Sequence, residues 1–143
     1  MIKHLSLKAY GKINLGLDVL RRREDGYHEV RMIMQTVGIF DRIDLAREEQ
    51  PGIRIETNLF YLPTNENNLV YKAANLLMEE FSISEGVSIQ LRKFIPVSAG
   101  MAGGSSDAAA VLFGINKMFR LGLTIRQLME RGVKIGADVP YRL

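Results

Sequence analysis

The first half of the chain alternates apolar and polar positions, and the second half switches to helical spacing. Ile13, Leu15, Leu17 and Val19 fall on every second residue, which predicts a half-buried strand over 13–19. Arg21-Arg22-Arg23-Glu24-Asp25-Gly26 follows, and its Asp-Gly pair predicts a turn. Val37, Ile39, Ile43 and Leu45 predict a second strand, interrupted near Asp41, and Ile53 and Ile55 a third after the break at Pro51-Gly52. Asn67 or Asn68 then caps a helix whose apolar stripe is Val70, Ala74, Leu77, Met78 and Phe81. Val87, Ile89 and Leu91 return to strand spacing, and Ala108, Val111, Leu112, Ile115 and Phe119 line one face of another helix. A last helix begins at Thr124, with Gln127 completing a capping box, Leu123 and Leu128 placed as a hydrophobic staple, and Gly132 as the stop. Strands first, then strands and helices mixed, favour an α+β domain over a doubly wound sheet.

Composition narrows the class. The 143 residues suffice for one domain with a real core and are too few for two. The net charge of +3 comes from 19 basic and 16 acidic residues interleaved along the chain, so no stripe for nucleic acid is expected, while a small anionic ligand would suit. Without cysteine there is neither a disulfide framework nor a thiolate metal site. Met1-Ile2-Lys3-His4 lacks the layout of a signal peptide, and no apolar run is long enough to span a bilayer. A cytoplasmic protein with no membrane association and no obligate protein partner is the expectation.

One segment carries candidate chemistry: Pro96-Val97-Ser98-Ala99-Gly100-Met101-Ala102-Gly103-Gly104-Ser105-Ser106. Three glycines in five residues weaken regular structure but let backbone approach a ligand closely. The serine pair then opens an alanine-rich helix, whose N-terminus offers unpaired N–H groups and a positive dipole end suited to phosphate. The plain alternative is a strand-to-helix loop with a serine cap. The segment is not a P-loop, because no Gly-Lys-Ser/Thr ends it, and it lacks the Gly-x-Gly-x-x-Gly spacing of dinucleotide sites.

Gly100 to Ala109 resembles the ATP loop of the GHMP kinases, which phosphorylate small metabolites. Lys12-Ile13-Asn14-Leu15, Arg23-Glu24-Asp25-Gly26-Tyr27-His28-Glu29-Val30 and Gly136-Ala137-Asp138-Val139-Pro140-Tyr141 match further motifs of that family in the same order. The chain departs from the family pattern at Tyr10-Gly11, at Met101-Ala102, and at Arg142, where a small or apolar residue is usual.

The resemblance implies a ribosomal-protein-like α+β fold, a mixed sheet packed against helices, forming the N-terminal ATP-binding domain over 1–143. It implies that the family's C-terminal domain is lacking, which makes the chain an N-terminal fragment expected to bind nucleotide weakly and turn over little. ATP with Mg²⁺ is the implied cofactor set, and no residue is assigned to the metal. ATP would lie on Pro96 to Ser106, with Asn65 and Lys93 bordering the adenine. Asp138 is the implied general base and also touches the substrate, with Lys12 beside it. Asn14, Tyr27 and His28 are implied to bind a small substrate bearing a cytidine diphosphate group, Tyr27 by stacking on the base. Taken singly, Asp138 is a turn aspartate, Lys12 a solvated strand lysine, Asn14 a strand amide, Tyr27-His28 a turn-flanking pair, Asn65 a loop residue and Lys93 a strand-end charge. Another GHMP kinase with a different acceptor, a non-catalytic nucleotide-binding fragment, and a ribosomal or nucleic-acid module remain as alternatives.

Overall fold

A computed structural model describes residues 1–22, 28–95 and 103–143, and side chains outside 12–37 and 103. Tyr27 and the loop residues Pro96, Val97, Ser98, Ala99, Gly100, Met101 and Ala102 therefore lie outside the described residues, as does the Asp25-Gly26 turn.

Four strands form one mixed sheet: β1 (His4–Arg22), β2 (His28–Glu48), β3 (Gly52–Thr57) and β4 (Gly86–Arg92), in the order β1-β2-β4-β3. β2 runs antiparallel to β1 and to β4, while β3 lies parallel to β4, joined to it through helix α1 (Leu69–Glu80). Helices α2 (Gly103–Met118) and α3 (Ile125–Gly132) follow, and a short 3-10 helix spans Val139–Arg142. The α+β class agrees with the periodicity, and the mixed sheet with what the resemblance implies.

The strands run longer than the pattern-based expectation: β2 begins at His28, well before Val37, and two further differences stand out. β1 starts at His4 rather than at residue 13, because Leu5, Leu7 and Ala9 already alternate inward. β2 runs unbroken through Asp41, whose carboxylate is 0% exposed. Ile43 and Leu45 are buried beyond it, so Asp41 occupies a core-facing position. A buried acid does not interrupt a strand when its oxygens find donors, as they do here.

The starts of α1 and α3 fall where their caps predict, whereas α2 begins at Gly103, ahead of the serine pair expected to open it. Asn68 is the N-cap of α1, its side chain accepting from Val70 N. Thr124 and Gln127 form the reciprocal capping box of α3. α2 presses on the sheet at Gly114, where an added Cβ would lie 2.5 Å from Leu45 Cδ1 and 2.7 Å from Leu7 Cδ1. An added Cβ there would push both leucine ends aside, so glycine lets α2 lie close on the sheet without repacking them. The core is one cluster between the sheet and the helices, with Leu45, Leu77, Ile89, Leu112 and Ile115 at 0–1% exposure.

Candidate active site

The N-terminus of α2 stands between two hollows. One, of about 160 Å³, is bounded by Leu62 and Pro63, the start of α1 at Asn68 to Val70, Leu91 and Lys93 of the β4 end, and Gly104 and Asp107. The other, of about 370 Å³, is bounded by Leu7 to Tyr10 of β1, Ser106, Ala109, Ala110 and Phe113 of α2, and Arg142 and Leu143. A third hollow, of about 490 Å³, faces away from α2 on the opposite side of the sheet. Several of its polar groups are engaged, Ser6 with Asp44, Ser88 with Glu48, and Arg54 Nη2 with the Gln50 and Pro51 carbonyls, while Arg54 Nη1 is buried without a hydrogen-bond partner.

Ser106 is 5% exposed, and its Oγ has no hydrogen-bond partner. Arg142 Nε, on the far wall of the same hollow, is also buried and unpartnered. Such groups cost free energy unless something supplies the missing bond. A hydroxyl donor at the positive end of a 16-residue helix fits an anionic oxygen. The described residues hold no group of three acids or histidines suited to a metal.

Lys93 follows directly on β4, and its side chain is 5% exposed. Its Nζ lies 2.6 Å from Asp41 Oδ2 and 2.6 Å from Asp107 Oδ2. Asp41 Oδ1 accepts from Phe94 N at 2.7 Å and from Ile95 N at 2.8 Å. Asn58 grips the Lys93 backbone from the β3 end, donating to its carbonyl at 3.1 Å and accepting from its N–H at 2.8 Å.

Burial works against the charge on Asp41, but hydrogen bonds with Asp107, Ile95, Lys93 and Phe94 outweigh it and hold the carboxyl below its usual range. Burial also works against the Lys93 ammonium, and the two carboxyls outweigh that too, raising it. For Asp107, burial and the hydrogen bond with Asp41 dominate the pull of Lys93 and push it up to about 8. With Asp107 pushed up, Asp41 held down and Lys93 raised, the cluster favours one carboxylate, one ammonium and one neutral acid, balanced in charge.

Stability follows in sign. Asp107 holds its proton more tightly folded than unfolded, so its contribution is full below its ordinary 3.8 and is lost as pH rises to about 8. Asp41 acts oppositely and only at lower pH. Urea midpoints should fall between about pH 5 and about pH 8.5 in the wild type, and Asp107→Asn should flatten that slope.

The other expected site residues are distributed as follows. Lys12 and Asn14 lie in β1 opposite Thr36 and Met34, and His28 opens β2 opposite Arg22; only their backbone is described. Asp138 is exposed and precedes the 3-10 helix without capping it through its side chain. Asn65 sits in the turn before α1, accepting from Asn67 N, and lies outside the walls of the smaller hollow, which Asn67 and Asn68 supply. Lys93 does line that hollow, though its ammonium is committed to the two acids. Sequence reasoning missed Asn58, Asp41 and the role of Asp107. Asp41 left a signal: it shares odd-numbered register with Ile39, Ile43 and Leu45, so it had to face the core and find a partner.

A helix N-terminus with an unpartnered buried hydroxyl, set between two hollows on a mixed sheet, is an arrangement suited to an anionic ligand. The family model described as GHMP kinases N terminal domain matches residues 68–142, just over half of the chain, and the chain belongs to that family. It is 58% identical over 142 residues to 4-diphosphocytidyl-2-C-methyl-D-erythritol kinase of Lachnospira eligens, covering 99% of this chain and 49% of that one. It is 55% identical over 140 residues to the kinase of the same name from Alkaliphilus metalliredigens, covering 98% and 48%. Among solved structures, a 4-(cytidine 5'-diphospho)-2C-methyl-D-erythritol kinase matches at 37% identity with a TM-score of 0.74, covering 96% of this chain and 48% of that one. A mevalonate kinase at 15% identity and a TM-score of 0.68, covering 96% and 47%, shares the fold alone. The chain spans about half the length of the curated relatives it matches.

Proposed function

We propose that this chain is the nucleotide-binding half of a kinase that phosphorylates the 2-hydroxyl of 4-diphosphocytidyl-2-C-methyl-D-erythritol, a step of the non-mevalonate route to isoprenoids, in the cytoplasm. The observation that carries this is the 58% identity across nearly the whole chain to a kinase of that name. The buried, unpartnered Ser106 hydroxyl at the α2 N-terminus supports it, because that hydroxyl and the neighbouring helix N–H groups suit a phosphate.

In this reading Gly103 to Ser106, with the segment before them, hold the nucleotide phosphates. The smaller hollow, with its apolar Leu62, Leu69 and Leu91 walls, takes the base, and the Lys93 stem borders it. The larger hollow lies on the acceptor side. Asp138 takes the proton of the acceptor hydroxyl, and Lys12 offsets charge on the moving phosphoryl group. The γ-phosphorus leaves its β,γ-bridging oxygen and bonds to the acceptor oxygen, yielding the 2-phosphate and ADP. Mg²⁺ bound with the nucleotide would offset part of the phosphate charge, and no residue is assigned to it. Phosphoryl transfer needs mainly positioning and charge stabilisation, which such a set supplies. Asn14, Tyr27 and His28 are assigned to the cytidine diphosphate end of the acceptor.

Titration of the ¹⁵N-labelled chain with Mg·ATP tests the nucleotide half of this reading. Amide shifts are expected at Gly104 to Asp107 and around Leu62 to Val70, with adenosine moving only the second set. Shifts confined to other surfaces, or none at millimolar nucleotide, would refute it.

A further inference from the structure

We propose that Asp41, Lys93 and Asp107 form a clasp that holds the two ends of the segment 96–102 at a fixed separation, which makes Lys93 and Asp107 positioning residues for phosphate binding. The proposal rests on reading that segment as the phosphate loop.

The geometry is specific. Asp41 Oδ1 takes both Phe94 N and Ile95 N, the last backbone donors before Pro96. Lys93 Nζ then reaches across to Asp107 Oδ2, in the first turns of α2 and fourteen residues further along the chain. The entry strand and the exit helix are thus joined through one ammonium. Asn58 fixes the Lys93 backbone independently, so neither end of the lysine is free to drift.

The energetic argument concerns why charge should be used here at all. The three side chains are 0–5% exposed. Buried ion clusters recover little net stability, and apolar residues of like volume often do as well. What apolar packing lacks is direction: a hydrophobic trio tolerates sliding, whereas an ammonium bonded to two acids at 2.6 Å each does not. Direction matters at this place because the end of β4 and the start of α2 flank the proposed phosphate site, and Gly104 to Ser106 must keep one spacing from Phe94 and Ile95 for their N–H groups to serve it. If the protein has already fixed that spacing, a bound phosphate meets a preorganised helix start, and affinity rises accordingly.

Asp107 permits a test that spares the rest of the cluster. Asp107→Ala cuts the link to α2 while leaving the Lys93–Asp41 pair and its two backbone bonds. Asp107→Asn keeps an acceptor of the same shape for Lys93. Asp107→Ser is the second variant should the alanine form not fold, since it is small and too short to reach the ammonium.

In amide hydrogen exchange on the 143-residue chain, Asp107→Ala should speed exchange at Phe94, Ile95 and Ser105 to Asp107 by about tenfold or more, while 86–92 and 110–118 hold within about twofold. Asp107→Asn should stay within about twofold of wild type throughout. In Mg·ATP titrations the alanine form should lose about tenfold in affinity and the asparagine form little. Exchange rising evenly across the sheet and α2 would mean a merely structural role and would overturn the clasp. So would equal behaviour of the alanine and asparagine forms, or no change in either. If no form binds nucleotide, the kinase reading fails while the exchange pattern still decides whether the clasp exists.

Discussion

Replacing Lys93 with Met should lower the unfolding free energy by about 3–5 kcal/mol, because it strands a carboxylate in the core. Asp41 is fully buried and held in its charged form, so the lost ammonium has no replacement from solvent. The methionine stem fills most of the space, which separates the charge effect from a cavity effect. The double variant Lys93→Met with Asp41→Leu removes both charges and should recover part of the loss, although Phe94 N and Ile95 N then lose their acceptor. Urea midpoints at neutral pH, compared at constant slope, give the answer. A Lys93→Met form as stable as wild type would mean that the two acids do not depend on the lysine.

The second large effect concerns chemistry. In a form joined in frame to the second half of the Lachnospira eligens relative, Asp138→Ala should reduce kcat by about 10²–10⁴, the usual contribution of a positioned general base. Stability should move by no more than about 0.5 kcal/mol, because Asp138 is exposed and makes no capping bond. The KM for ATP should hardly change. Turnover unaffected by the substitution would remove Asp138 from the base role. A loss tracking a fall in stability would assign it to structure instead.

How far the chain could be read in advance follows from what each feature depends on. Helix starts were legible because capping is local: Asn68 and Thr124 act on amides two or three residues ahead. Strand alternation was legible at Ile53 and Ile55 and at Val87, Ile89 and Leu91, and it was overlooked at Leu5, Leu7 and Ala9, where β1 begins. It misled at Asp41, where a core position is filled by an acid whose donors, Lys93, Phe94 and Ile95, are more than fifty residues away. The glycine loop and its serines could be picked out by composition. What surrounds them could not, since the two hollows are built from β1, α1, α2 and the chain's last residues meeting in space. Asn58 was invisible for the same reason: its amide works as a clamp only because β3 ends beside Lys93.

The central claim is that this chain supplies the nucleotide-binding half for phosphorylation of a cytidine-diphosphate-bearing alcohol. The measurement that bears on it most directly is phosphoryl transfer from ATP by the joined form, offered 4-diphosphocytidyl-2-C-methyl-D-erythritol, homoserine and mevalonate in parallel and read by ³¹P NMR of the products. The expected result is a monophosphate ester on the first acceptor only, formed with one ADP per turnover. Phosphorylation of homoserine or mevalonate with the first acceptor untouched, or none of the three phosphorylated by a folded, ATP-binding joined form, would contradict it.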